Sequence, residues 1–161
     1  PAVEKGFRSC LKKGPIAGYP VVGLKVTLTD GSYHEVDSSD LAFQICAQTA
    51  MRENFPLTNP VLLEPVMRIE IECPSVFQGA VVGNLTARRG IVLATEVKGS
   101  EARIEGEVPL AETFGYSTDL RSMTQGQGTF SMEFAKYRRM PRSIEEEVIA
   151  ERRKAQMAGS C

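Results

Sequence analysis

An α+β fold is predicted by three observations on the 161-residue sequence. After Pro65, apolar residues alternate with charged ones over several short runs, the period of strands with one buried face. Between those runs lie two segments of helical spacing, giving the order β-α-β-β-α-β. Before Pro65 the balance reverses, with two helical segments and a single clear strand pattern.

Val3, Phe7, Cys10 and Leu11 share a helical face opposite Lys5, Arg8, Lys12 and Lys13, and Gly14-Pro15 ends that helix. Val22, Leu24, Val26 and Leu28 alternate with Gly23, Lys25 and Thr27, which predicts a half-buried strand broken at Asp30-Gly31-Ser32. Tyr33 to Ser39 is a polar loop carrying the sole histidine, His34. Ser38 or Ser39 is placed to cap a helix over about 40–53, with Asp40 in the first turn as the helix dipole favours. Leu41, Ala42, Ile45, Cys46, Thr49 and Ala50 spread around most of that helix, so it requires cover on more than one side.

Pro56, Pro60 and Pro65 mark a domain boundary. Beyond it Met67, Ile69, Ile71 and Cys73 point one way, and Arg68, Glu70 and Glu72 the other. Ser75-Val-Phe-Gln78 has capping-box spacing and predicts a helix through Val81, Val82 and Leu85, ended by Arg88-Arg89-Gly90. A strand over 91–97, a turn at Lys98-Gly99-Ser100 and a returning strand with Ala102, Ile104, Gly106 and Val108 inward follow. Pro109 suits the first turn of a second helix through Leu110, Phe114 and Leu120. Gly126-Gln127-Gly128 leads into a last strand with Phe130, Met132 and Phe134 inward. This order is the ferredoxin-like split βαβ, an open sheet with two helices on one side. A capping box at Ser143-Ile-Glu-Glu146 opens a final helix to about Met157. The half before Pro65 offers too little sheet to cover its two apolar helices and reads as incomplete.

At 42% hydrophobic and 24% charged, the composition is globular rather than disordered or fibrous. Nineteen Lys plus Arg against twenty Asp plus Glu leave a formal charge of −1, so any contact with nucleic acid rests on local patches. No apolar run approaches the ~20 residues of a membrane span. Cys10, Cys46, Cys73 and Cys161 form no C-x-x-C pair and are not spaced with His34 as zinc ligands, so they read as buried, reduced thiols and no metal site is expected. No G-x-x-x-x-G-K-[ST] loop is present, and Gly126-x-Gly128 precedes a strand rather than a helix, so a nucleotide pocket is not expected. His34, Asp37 and Ser38 lie within five residues of one loop, whereas a triad is assembled from separate scaffolded elements, so no catalytic residue is predicted. Lys136, Arg138, Arg139 and Arg142 put four cations within seven positions, either a solvated face or a phosphate contact. Arg88, Arg89 and Arg121 are open to the same two readings.

Longer strings are more specific. Gly14-Pro-Ile-Ala-Gly-Tyr-Pro-Val-Val, Gly31-Ser-Tyr-His-Glu-Val-Asp-Ser-Ser-Asp-Leu-Ala-Phe43 and Pro60-Val-Leu-Leu-Glu-Pro65 closely resemble the C-terminal part of the elongation factor G family. So do Phe114-Gly-Tyr-Ser-Thr-Asp-Leu-Arg-Ser-Met123 and Gly126-x-Gly-Thr-Phe-Ser-Met-Glu-Phe134. The match runs in order over nearly the whole chain.

The resemblance implies that 1–62 is the second part of domain IV, a partial ribosomal-protein-S5-like α/β domain. It implies that 63–140 is the ferredoxin-like domain V and that 141–161 is a C-terminal helix and tail. It further implies a part in GTP-dependent translocation of tRNA and mRNA on the ribosome, in the cytoplasm or an organellar matrix. Domain IV would reach the small-subunit decoding region and domain V the large subunit near the sarcin–ricin loop. GTP and magnesium belong to the family's GTPase domain, which these residues do not contain, so no cofactor and no catalysis are expected here. Ser32, Tyr33, His34, Glu35, Val36, Asp37 and Ser38, within a loop at 31–39, match one of the family's tip loops, with His34 at the tip histidine. Hydroxyls, an imidazole and a ring suit intrusion among bases without sequence readout. Glu35 and Asp37 oppose phosphate binding, and Asp37 is expected instead to order the loop through backbone N–H groups. Arg88, Arg89, Arg121, Lys136, Arg138, Arg139 and Arg142 are the candidate ribosomal RNA contacts.

The strands covering the first half are expected upstream of Pro1, so that half is expected to be unstable alone or to pair with a second copy. Two other readings stand beside this one, a free-standing ribosome- or RNA-binding module and a small-molecule regulatory domain. The upstream reading frame separates the first reading from both, and salt-dependent pelleting with ribosomes separates RNA binding from metabolite sensing.

Overall fold

The computed structural model describes residues 1–159. The chain forms two units, Pro1–Val61 with the segment from Pro141, and Leu62–Met140.

In the second unit, β1 (Leu63–Pro74), β2 (Ile91–Lys98), β3 (Glu101–Pro109) and β4 (Thr129–Arg139) form one antiparallel sheet in the order β2-β3-β1-β4. Helices α3 (Gln78–Ala87) and α4 (Tyr116–Met123) supply the connections, as the βαββαβ pattern predicts. The core follows the alternation. Ile69, Ile71 and Cys73 of β1 and Ala102, Ile104 and Val108 of β3 pack with Val81, Leu85, Tyr116 and Leu120 of the helices. Each fully buried aliphatic side chain contributes roughly 1.5–3 kcal/mol. Gly106 leaves room for α3 to pack on the sheet, since a Cβ there would lie 2.9 Å from Leu85 Cδ2 and 2.8 Å from the Ile91 carbonyl of β2. The Tyr116 ring meets Phe130 edge-on at 5.1 Å.

Several local expectations are corrected. The segment after β1 opens as a 3-10 turn, Ser75–Phe77, and α3 starts at Gln78 without a side-chain cap, so the capping box does not form. Pro109 ends β3 instead of starting a helix. A 3-10 turn, Leu110–Glu112, follows, and α4 begins only after Gly115, whose φ of 75° reverses the chain and leaves Phe114 outside the core. Of the β4 row expected inward, Phe130 packs on the core while Met132 and Phe134 stay exposed, because β4 is an edge strand.

In the first unit, α1 (Ala2–Leu11) packs against α2 (Asp40–Asn54) through Gly6, where a Cβ would fall 2.7 Å from that of Ala47. Ser39 caps α2 by accepting the Ala42 N–H at 3.0 Å. Ala47 and Met51 are buried, whereas Leu41 and Ile45 are exposed, so one side of α2 lacks cover. The strand expected at Val22–Leu28 is absent. That run is extended but unpaired, because the alternation specifies a face while a strand also needs neighbours, and no other strand occurs among the described residues of this unit. Leu24, Val26 and Leu28 instead face Val3, Phe7 and Leu11 across an open groove of about 520 Å³. Helix α5 (Arg142–Ala158) belongs to this unit, with the Arg152 guanidinium 4.4 Å from the Tyr19 ring centre. Its N-cap is Pro141 without a side-chain bond, so the box at Ser143–Glu146 is unused.

Of the thiols, Cys73 is buried and burial pushes its pKa up. Cys10 is half-buried and Cys46 exposed, against the expectation of burial. Cys161 lies outside the described residues.

Candidate nucleic-acid interface

The loop before α2 is ordered by its own serines. The His34 N–H donates to Ser38 Oγ at 2.8 Å, and the Ser38 N–H returns to the His34 carbonyl at 2.9 Å, closing a turn over Glu35, Val36 and Asp37. Ser38 therefore does the ordering assigned to Asp37 from the sequence, because its short hydroxyl lies inside the turn. Outward-facing groups result. Val36 is 90% exposed and Tyr33 70% exposed, and Ser32, His34, Glu35 and Asp37 are exposed with them. Among the described residues no hydrogen bond joins the His34 ring to Asp37 or Ser38, so the three do not form a triad.

The seven basic candidates have different fates. Arg88 donates to the carbonyls of Glu112 and Phe114 and to Asp119 Oδ2 at 2.5 Å, with its guanidinium 5.3 Å from the Tyr116 ring centre. It thereby fixes the Glu112–Phe114 bend and leaves Phe114 77% exposed. Arg89 is bidentate on Glu64, 3.0 Å to each oxygen, and reaches Glu112 Oε1 at 3.1 Å. Arg138 approaches the same Glu64 at 3.4 Å. Lys136 pairs with Glu107 at 3.2 Å, and Arg142 with Glu146 at 3.1 Å on the exposed face of α5. Arg121 and Arg139 are exposed and carry no ion pair among the described residues. Only Arg89 and Arg138 are brought together, and they meet at a carboxylate.

Glu64 is the residue that sequence reasoning passed over. It is 2% exposed inside the run Val61 to Val66, where a lone carboxylate signals a buried charge in need of partners. Burial pushes its carboxyl up, but Arg89 and then Arg138 outweigh that and hold it below the ordinary carboxylate value. Hydrogen bonding to Glu64 raises the Arg89 pKa in turn. The exposed sheet face is similarly paired, Arg103 with Glu70 at 2.8 Å and Arg68 with Glu105 at 3.3 Å, so it offers little free positive charge.

Among the described residues no group of three His, Cys, Asp or Glu side chains is placed to hold a metal ion. No described helix is long and apolar enough to cross a membrane.

Comparison with known proteins fits this geometry. The family model "Elongation factor G, domain IV" matches residues 1–59, and "Elongation factor G C-terminus" matches residues 61–148. The chain is 59% identical over 99% of its length to elongation factor G of Rhodopirellula baltica, and 52% identical over 92% to elongation factor G 2 of Bdellovibrio bacteriovorus. It spans 23% and 21% of those two relatives. A crystal structure from Thermus thermophilus superposes with a TM-score of 0.82 at 42% identity, over 95% of this chain and 23% of that one. Both matched segments are non-catalytic domains, and no GTPase domain lies within the 161 residues. The chain belongs to the elongation factor G family, of which it carries domain IV sequence and the C-terminal domain.

Proposed function

We propose that this chain is the ribosome-contacting end of a translocase, moving tRNA and mRNA while GTP is hydrolysed, with magnesium, in a GTPase domain elsewhere in the longer protein. It works in the cytoplasm or an organellar matrix. The observation that carries the reading is the Ser32–Ser38 loop, whose backbone is locked by Ser38 while its ring, imidazole and hydroxyl groups stand in solvent. A preformed loop of this kind enters the decoding region at little ordering cost and acts by shape and hydrogen bonding, not proton transfer. The open groove along Leu24, Val26 and Leu28 supports a second element, a sheet completed by strands from residues preceding Pro1 in the longer protein.

Contact with ribosomal RNA near the sarcin–ricin loop falls to Arg121 and Arg139, with Lys136 and Arg142 able to exchange weak surface pairs for phosphates. Arg88, Arg89 and Arg138 act from behind, by shaping the surface. The test uses the full-length factor. His34→Ala slows single-round translocation while ribosome-stimulated GTP hydrolysis stays near the wild-type rate, and equal loss of both overturns the reading. Arg121→Gln and Arg139→Gln each lower the salt slope of ribosome binding by about 1.

A further inference from the structure

The chain crosses between its two units at Val61–Leu62 and at Met140–Pro141, and both crossings leave the second unit side by side. The Met140 N–H donates to the Leu62 carbonyl at 2.9 Å, and Leu63, Glu64 and Pro65 pair with Arg139, Arg138 and Tyr137. Strand β3 does not reach this far, since its pairing with β1 starts at Val66 opposite Pro109. Residues 63–65 and 137–139 therefore form a two-stranded ribbon beyond the end of the four-stranded part. Such a ribbon is marginal by itself. At its root the β1–β4 register shifts between Val66 and Met67, which leaves Ala135 without a partner and weakens the ladder there. The buried phase of β1 changes at the same point, from Glu64 and Val66 to Ile69, Ile71 and Cys73.

One cluster ties this ribbon to the body of the unit. Glu64 and Arg138 come from the ribbon, Arg89 from the end of α3 and Glu112 from the turn after β3. Arg89 occupies the left-handed region at φ 60°, a conformation that costs an L residue about 1 kcal/mol or more and that glycine would take without strain. From there the Arg89 guanidinium spans Glu64 and Glu112, contacts a glycine could not make. We infer that Glu64 is a positioning residue for the connection between the units, latching the ribbon so that it does not flex at the Val66/Met67 bulge. With the latch closed, a displacement at either crossing passes into the sheet. With it open, the displacement is absorbed at the bulge. This inference goes beyond the ribosomal reading and does not rest on it.

The test is made on the 161-residue chain. Glu64→Gln preserves shape and removes the charge that holds both arginines. The Met140 amide is expected to exchange its hydrogen about tenfold faster or more, while the Ile69, Ile71 and Ile104 amides keep wild-type protection. Arg138→Gln removes only the longer contact and leaves Arg89 in place, so it reports on the same amide, with a smaller acceleration, even if Glu64→Gln does not fold. Unchanged Met140 exchange, or equal acceleration at the core amides, would each overturn the latch.

Discussion

Tyr116 offers a stability test that runs against intuition. Tyr116 is 2% exposed, its ring between Phe130 and the Arg88 guanidinium, and its hydroxyl is buried without a hydrogen-bond partner among the described residues. A buried hydroxyl left unpaired costs about 1–3 kcal/mol, so Tyr116→Phe, which keeps the ring and deletes that group, is expected to stabilise the second unit by about 1 kcal/mol at pH 8. The ionisation of the same group gives a second readout. Burial, only partly offset by Arg88, pushes its pKa from 10.0 up to about 12. A raised folded-state value means that the stability is complete below pH 10 and is lost as pH rises through 12, because the unfolded chain ionises first. The loss is about 1.4 kcal/mol by pH 11 and tends to roughly 2–3 kcal/mol beyond pH 12. Urea unfolding of wild type and variant between pH 8 and 12, followed at the methyl resonances of Ile69, Ile71 and Ile104, separates this effect from other titrations because those are common to both. Parallel curves over that range, or a variant less stable at pH 8, would refute the reasoning.

Two glycines with opposite surroundings predict opposite signs. Gly106→Ala drives a Cβ against the Ile91 carbonyl and is expected to lower the urea stability of the second unit by about 1–3 kcal/mol. Gly83→Ala, exposed in α3 with nothing within 4 Å of the new Cβ, is expected to raise it by about 0.5–1 kcal/mol in the same assay. Glu64, held below its ordinary value of 4.5, contributes stability that is present above pH 4.5 and fades as acid protonates the folded carboxylate. Glu64→Gln should therefore flatten the fall of the urea midpoint below pH 4.5, and a fall as steep as in wild type would remove Glu64 as its cause.

The second unit was legible because its strands bury one face, and a period of two survives in any sequence that obeys it. Ile69, Ile71, Ile104 and Val108 occupy the positions the alternation assigned them. The run at Val22–Leu28 obeys the same period and forms no strand, since periodicity describes a surface and says nothing about hydrogen-bonding neighbours. The late start of α4 was hidden for a related reason, as Gly115 reverses the chain where helical spacing alone continues through Phe114. The tip loop was found through its resemblance to a known family, not through any physical pattern, although Ser38 and Ser39 carried the polar turn chemistry that orders it. The fate of the basic residues was not legible at all. Arg89 meets its carboxylate 25 positions away and Arg138 meets the same one 74 positions away, distances at which only the folded chain selects partners.

Arg88 carries a consequence for anyone who would transplant this surface. The bend presenting Phe114 takes its form from a cation contributed by the far end of another helix, through two carbonyls and Asp119. A peptide copied from residues 112–119, or the same stretch grafted into an unrelated scaffold, would keep every letter and lose the curvature. The smallest portable piece of this surface is discontinuous, and its essential member lies outside the segment it shapes.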